Sequence, residues 1–226
     1  MDERILAHLR GNDRHADQFE SRFDDVQESQ RPDMVTVACS DSRVLQDHGW
    51  GNERPGAIFT VGNVGNRVVQ RTASETVVSG DVLYPLLHTG TETVAVVGHT
   101  GCGAVTATYD AVTDEPSGPP GIRHCVELLT EAIGEGVDRL PDGFDRATAV
   151  NHLVEYNVDR QVDYCLESGE VPDEVTILGL VYDFQDVYDG RRGELHVVNV
   201  DGERDPERLR TDHEAVADRV SRLWTY

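Results

Sequence analysis

The chain has 226 residues and a mass of 25.0 kDa, enough for one domain with a substantial apolar core. Its 42 acidic residues against 20 basic ones give a formal net charge of −22 and a pI near 4.6. That balance excludes partners that need a basic patch, nucleic acid and anionic membrane among them.

The opening segment "MDERILAHLRG" is charged from its second residue and has no apolar stretch. It reads as the start of a helical arm over about residues 1–30 and not as a secretory leader. "MVTVAC" (34–39) follows as the first strand, "AIFTV" (57–61) as the second and "TVAVVGH" (93–99) as the third. The third runs into "TGCGAV", where a helix begins at Cys102. "DEPSGPPG" (114–121) and "EGVDRLPDGFD" (135–145) are loops. Between them Ile122, Cys125, Val126, Leu129 and Ile133 recur at helical spacing over 121–134. A second such stripe over 146–168 comprises Val150, Leu153, Val154, Val158, Val162, Cys165 and Leu166.

"VTILGLVYD" (175–183) and "ELHVVNV" (194–200) are the fourth and fifth strands, and the turn-rich "DGRRG" (189–193) makes them an antiparallel hairpin. The last helix opens with Asp205 as N-cap and Pro206 at its first position, and runs to about residue 224. It is expected to bury Leu209, Val216, Val220 and Leu223. Strand and helix thus alternate as in an α/β fold with a mainly parallel sheet flanked by helices. There is no internal repeat and no low-complexity tract, so a single domain over 1–226 is expected. No run approaches the ~18 apolar residues of a membrane span.

Three side chains gather at strand ends. Cys39 closes the first strand, His99 closes the third, and Cys102 follows three residues later. Ligands of open α/β sheets bind outside the carboxyl ends of the strands. If the first and third strands are neighbours, two thiolates and an imidazole meet there. That set suits Zn2+ and leaves a fourth tetrahedral position open, the mark of a catalytic site and not of a closed structural one. Gly98, Gly101 and Gly103 let the backbone turn tightly beside the metal. Asp41 then has a role as acceptor for a water in the open position. Arg43 keeps that carboxylate ionised and turned away from the metal.

"CSDSR" followed some sixty residues later by "GHTGCG" resembles the β-class carbonic anhydrases, with their Cys-x-Asp-x-Arg and His-x-x-Cys motifs. The likeness extends to "GLVYD" (179–183) and covers roughly residues 34 to 200. It implies zinc at Cys39, His99 and Cys102, an Asp41–Arg43 dyad, and reversible hydration of carbon dioxide to bicarbonate. It further implies strand order 2-1-3-4 with an antiparallel fifth strand, and a homodimer or higher homo-oligomer. Members with an inhibitory bicarbonate site build it from an arginine, a tryptophan and a tyrosine. Those positions here hold Gly62, Thr36 and Tyr182, so two of the three are missing.

Other residues have plainer readings. Cys125 and Cys165 sit on apolar helix stripes and read as packing residues. The remaining histidines lack metal-like spacing with one another. Four cysteines make no disulfide framework, and a cytoplasmic location is expected. Every basic residue is arginine and lysine is absent. Such a surface repels itself unless the Debye length shrinks to about 3 Å, as it does at ~1 M salt, which points to a halophilic setting. Two rival functions share these residues: hydrolysis of carbon disulfide or carbonyl sulfide at the same zinc, and a catalytically silent zinc-binding homologue.

Overall fold

Along "MVTVAC", Val35, Val37 and Cys39 point to one side of the strand and Thr36 and Ala38 to the other, and all five are buried. A strand buried on both sides needs helices on both sides. The computed structural model, which describes residues 2–73, 75–113 and 118–226, supplies them. Strands β1 (Met34–Cys39), β2 (Ile58–Asn63), β5 (Thr93–His99), β6 (Thr176–Asp183) and β7 (Glu194–Val200) form one sheet in the order β2-β1-β5-β6-β7. The first four in that order are parallel and β7 is antiparallel to β6. This is the mainly parallel α/β sheet with an antiparallel fifth strand that the sequence leads one to expect.

A small hairpin of β3 (Val69–Arg71) and β4 (Thr76–Val78), which the sequence did not announce, stands beside the sheet. So do the short α2 (Gln46–Gly49) and α3 (Gly80–His88), the latter capped by Ser79. Helix α4 (Gly103–Thr113) leads away from β5. Of the loop expected over 114–121, residues 114–117 lie outside the described ones, and the next helix already begins at Pro120.

That helix, α5 (Pro120–Arg139), also outruns its expected end at 134, so the first part of "EGVDRLPDGFD" is helical. Its glycines misled the reading. Gly136 does not stop the helix but lets it approach the next one closely: a Cβ there would stand 2.7 Å from the Tyr156 ring. Helix α6 (Arg146–Leu166), capped by Asp145, is the centre of the fold and packs against β5, β6 and β7. Its expected apolar stripe is buried except for Leu166, and Asn151, Glu155, Asn157, Asp159 and Gln161 are buried too.

The N-terminal arm comprises α1 (Glu3–Phe19) and a 3-10 turn at Glu20–Val26, and α1 buries no residue. At the other end the expected helix over 206–224 is cut short. Helix α7 (Pro206–Asp212) is capped as expected by Asp205, which accepts from the Glu207 and Arg208 N–H groups, but the backbone leaves the helix at His213. After a 3-10 turn at Glu214–Arg219, Val220 pairs with Val197 of β7. Leu209 and Val220 are buried as expected, whereas Val216 is exposed.

The reason lies in α6. Its buried Glu155 and Asp159 draw Arg222 inward, at 3.2 and 2.8 Å, and Glu155 also accepts from the N–H groups of Leu223 and Trp224. The Tyr226 hydroxyl donates to Asp159 at 2.7 Å. A helix continued to 224 would forgo these bonds, taking Arg222 from the buried Glu155 and leaving Asp159 only the more distant Arg204, at 3.6 Å. Among the described residues no helix is long and apolar enough to cross a membrane.

Candidate metal centre

The winding of the sheet reverses between β1 and β5, which are parallel neighbours with β2 and β6 on their outer sides. Such a reversal opens a crevice at the carboxyl ends of the two strands. Cys39 and His99 are the last residues of these strands. After His99, the Thr100 N–H donates to the Tyr182 carbonyl and extends the β5–β6 ladder by one bond. The chain then turns at Gly101, whose φ of 61° falls in the left-handed region. Of the three glycines expected to shape this turn only Gly101 needs that freedom; Gly98 lies within β5 and Gly103 opens α4. The Cys102 carbonyl accepts the Thr106 N–H, which places Cys102 at the start of α4.

These turns bring one ligand atom from each of Cys39, His99 and Cys102 within 4.8 Å of one another. The two sulfurs are 4.0 Å apart, and all three residues are buried. The hydrogen bond from Cys102 lowers the Cys39 pKa against the opposing effect of burial. The same hydrogen bond, with burial, raises that of Cys102.

His99 Nδ1–H donates to the Thr100 carbonyl at 3.0 Å, which fixes the tautomer and leaves the Nε2 lone pair free. That Nε2 is buried and has no hydrogen-bond partner among the described residues. A buried orphan lone pair facing two thiols calls for a cation. Two sulfurs and one imidazole nitrogen are the donor set of zinc, and sulfurs bound at about 2.3 Å on a tetrahedral ion stand about 3.8 Å apart. The residues present therefore fit a zinc ion.

Asp41 and Arg43 stand at the rim. Asp41 Oδ1 accepts the Arg43 backbone N–H at 3.0 Å, a local turn that the two-residue spacing makes possible. The guanidinium closes a two-pronged pair with the carboxylate at 2.9 and 2.7 Å, and donates to the Gly101 carbonyl at 3.2 Å. The Arg43 side chain beside it holds the Asp41 carboxyl well below the usual carboxylate range, helped by the Arg43 N–H. Asp41 Oδ2 is 3.9 Å from His99 Nε2. The carboxylate thus borders the space that the three donors face while its oxygens are engaged by arginine.

All five candidate residues come together, and three others join them. The Phe184 ring stacks on His99 at 5.7 Å and carries the Arg43 guanidinium at 4.6 Å. Asp183 accepts the Thr100 hydroxyl at 3.1 Å and three backbone N–H groups of the following loop. Asn151 of α6 accepts the Gly101 N–H. Only the position of Asp183 and Phe184 at the end of a strand hinted at the first two; Asn151 had no signal at all.

Elsewhere Thr36 and Tyr182 line a narrow pocket with Ala38, Gln46, Trp50, Val97 and Leu195, and Gly62 stands behind its Gln46 wall, where a Cβ would be 3.1 Å from the Gln46 amide. Cys165 is in the core, where burial pushes its thiol up to about 12, and Cys125 is half-buried against Arg67.

Residues 34–192, which contain all five candidate residues, match a family model described as carbonic anhydrase. The chain belongs to the carbonic anhydrase family. A carbonic anhydrase of Mycolicibacterium smegmatis is 33% identical over 127 residues, 54% of this chain and 56% of that one. The chain spans about half the length of such curated relatives. A Coccomyxa β-carbonic anhydrase, solved with acetazolamide, has a TM-score of 0.70 at 21% identity and covers 97% of this chain and 98% of its own. Tetrameric β-carbonic anhydrases of Sordaria macrospora reach a TM-score of 0.71 at 16% identity, over 88% and 98%. The fold of the chain is therefore that of the β-class carbonic anhydrases.

Proposed function

We propose that the protein is a zinc enzyme for the reversible hydration of carbon dioxide to bicarbonate. The observation that carries this reading is the bare, buried Nε2 of His99 facing two thiols, with an arginine-held carboxylate at its edge. Cys39, His99 and Cys102 would hold the metal. Zinc so held supplies Lewis acidity at the one position these side chains leave open, which makes water there more acidic.

The chain's other residues act around that position. Asp41 Oδ2 accepts the hydrogen bond of the attacking water and turns its lone pair toward the carbon. Arg43 keeps Asp41 ionised, so the carboxylate is always an acceptor, and keeps it from taking the open position itself. Phe184 provides an apolar wall over His99, which suits a small neutral substrate. The acidic surface does not impede a molecule without charge.

Two further parts of the reading concern setting. We place the protein in a salt-rich cytoplasm on account of its charge and composition. A homodimer or higher homo-oligomer is supported by α1, which has no residue buried by the other described residues, by exposed Ile5 and Leu9 on it, and by the tetrameric Sordaria proteins.

Metal analysis together with stopped-flow hydration of carbon dioxide tests the function. One zinc per chain and rapid hydration are expected, with both lost in Cys39→Ser. Carbonyl sulfide and carbon disulfide run alongside test the hydrolase alternative, and zinc without turnover of any of the three would identify a silent homologue.

A further inference from the structure

The peptide unit joining Thr100 to Gly101 is engaged at both ends. Its carbonyl accepts from His99 Nδ1 at 3.0 Å, and its N–H donates to Asn151 Oδ1 at 2.8 Å. Asn151 lies on α6, fifty residues away in sequence, and is 7% exposed. The next peptide unit is engaged as well, its Gly101 carbonyl accepting from Arg43 at 3.2 Å. Between the two units stands a glycine at φ 61°, the residue least able to hold its own dihedral angles.

From this geometry we infer that Asn151 is the positioning residue of the metal centre. It does not touch the three donors. By taking the Gly101 N–H it fixes the plane of the 100–101 peptide, so the Thr100 carbonyl stays aimed at His99 Nδ1. That keeps the proton on Nδ1 and the lone pair on Nε2. Hydrogen bonds in such a chain polarise one another, so an acceptor at the N–H makes the carbonyl a better acceptor and the imidazole a better donor of its other lone pair. Through the same glycine, Asn151 fixes the carbonyl that anchors Arg43, and so the carboxylate Arg43 holds. One amide from the central helix thereby sets both the ligand histidine and the dyad. Its base is firm, since most of α6 from Ala149 to Cys165 is buried, and the helix packs on both the sheet and α5.

The inference rests on the zinc reading above, and the test separates the two. Zinc stoichiometry of the wild type is measured first, then the rate of zinc release to a chromogenic chelator, then the 15N–1H imidazole spectrum of the metal-free protein. Asn151→Leu keeps size and removes the acceptor, and is expected to release zinc 10- to 100-fold faster, on the order of other changes behind a metal-bound histidine. Its metal-free His99 should divide its proton between Nδ1 and Nε2, where the wild type holds it on Nδ1. Asn151→Asp restores a stronger acceptor at the same place and should slow release about threefold relative to wild type.

A purely structural asparagine would lower the unfolding midpoint of Asn151→Leu while leaving release rate and tautomer as in wild type, and that result overturns the inference. Should Asn151→Leu not fold, Asn151→Asp decides alone, and release no slower than wild type overturns it. A wild type that binds no zinc defeats the zinc reading; the His99 tautomer then still decides the role of Asn151.

Discussion

Asp41 lies 3.9 Å from the free nitrogen of His99 and yet turns its oxygens to Arg43. Carboxylate oxygen is itself a zinc ligand at about 2.0–2.2 Å, so the guanidinium decides which role the carboxylate takes. Arg43→Ala is expected to retain one zinc per chain while hydration falls by about 10²-fold or more, the range associated with a lost proton-handling group. Zinc-edge spectroscopy should show carboxylate in place of water or hydroxide at the fourth position even at alkaline pH, with the water restored in Asp41→Ala/Arg43→Ala. Wild-type turnover in a zinc-loaded Arg43→Ala would show that the arginine has no such part. At this scale the five rim and donor residues were legible because each lies in a short motif at the end of an apolar run. Asn151 and Phe184 were not, because a helix polar residue or a loop aromatic takes its meaning from what folds against it.

Asp183, where β6 gives way to its loop, illustrates how one side chain holds an element in place. Burial works against its charge, but hydrogen bonds from the Tyr188, Gln185 and Val187 N–H groups, with the Thr100 hydroxyl, win and lower its pKa. A folded value below that of the unfolded chain, about 3.9, means that its stabilisation is complete above that pH and is lost as pH falls through the folded value. Asp183→Asn removes one acceptor from two of these donors and should destabilise by about 2–3 kcal/mol at pH 7. Urea unfolding in constant high salt should show that difference shrinking as the pH drops below about 4. The five strands of the main sheet and the starts of α6 and α7 were readable, from apolar runs and, for α7, from Asp205 as a cap. The ends of α5 and α7 were not. A glycine that admits Tyr156 and a buried acid pair that captures Arg222 are long-range facts, invisible to local propensity.

For the molecule as a whole, the net charge of −22 without a single lysine makes ionic strength a structural variable. The Debye length grows from about 3 Å at 1 M to about 10 Å at 0.1 M salt, which restores repulsion among carboxylates across the surface. Melting temperature is expected to rise by roughly 10 °C between 0.1 M and molar potassium chloride, about 3 kcal/mol for a chain of this size. Light scattering should give a mass above 25.0 kDa in high salt and a smaller one as salt is removed. A melting temperature and mass indifferent to potassium chloride would refute the salt-adapted reading.

The Arg222–Glu155–Asp159 cluster behaves oppositely to that surface. Its side chains are at most 2% exposed, and ions in solution do not reach them to screen anything. The chain therefore carries an internal reference whose strength is indifferent to the medium, and nature has placed a reporter beside it. Of the two indoles in the sequence, Trp224 is buried next to Tyr156 and Tyr226, while Trp50 lies near the surface on the other side of the sheet. In a Trp50→Phe background, Trp224 emission should stay blue while salt is withdrawn and the assembly comes apart, and shift to the red only when α6 itself unfolds. Arg222→Met, which takes the nearer cation from both buried acids and leaves only Arg204 beside Asp159, at a loss of about 3–5 kcal/mol, should make the two events coincide. Fluorescence would then separate dissociation from unfolding in a protein whose melting curve alone merges them.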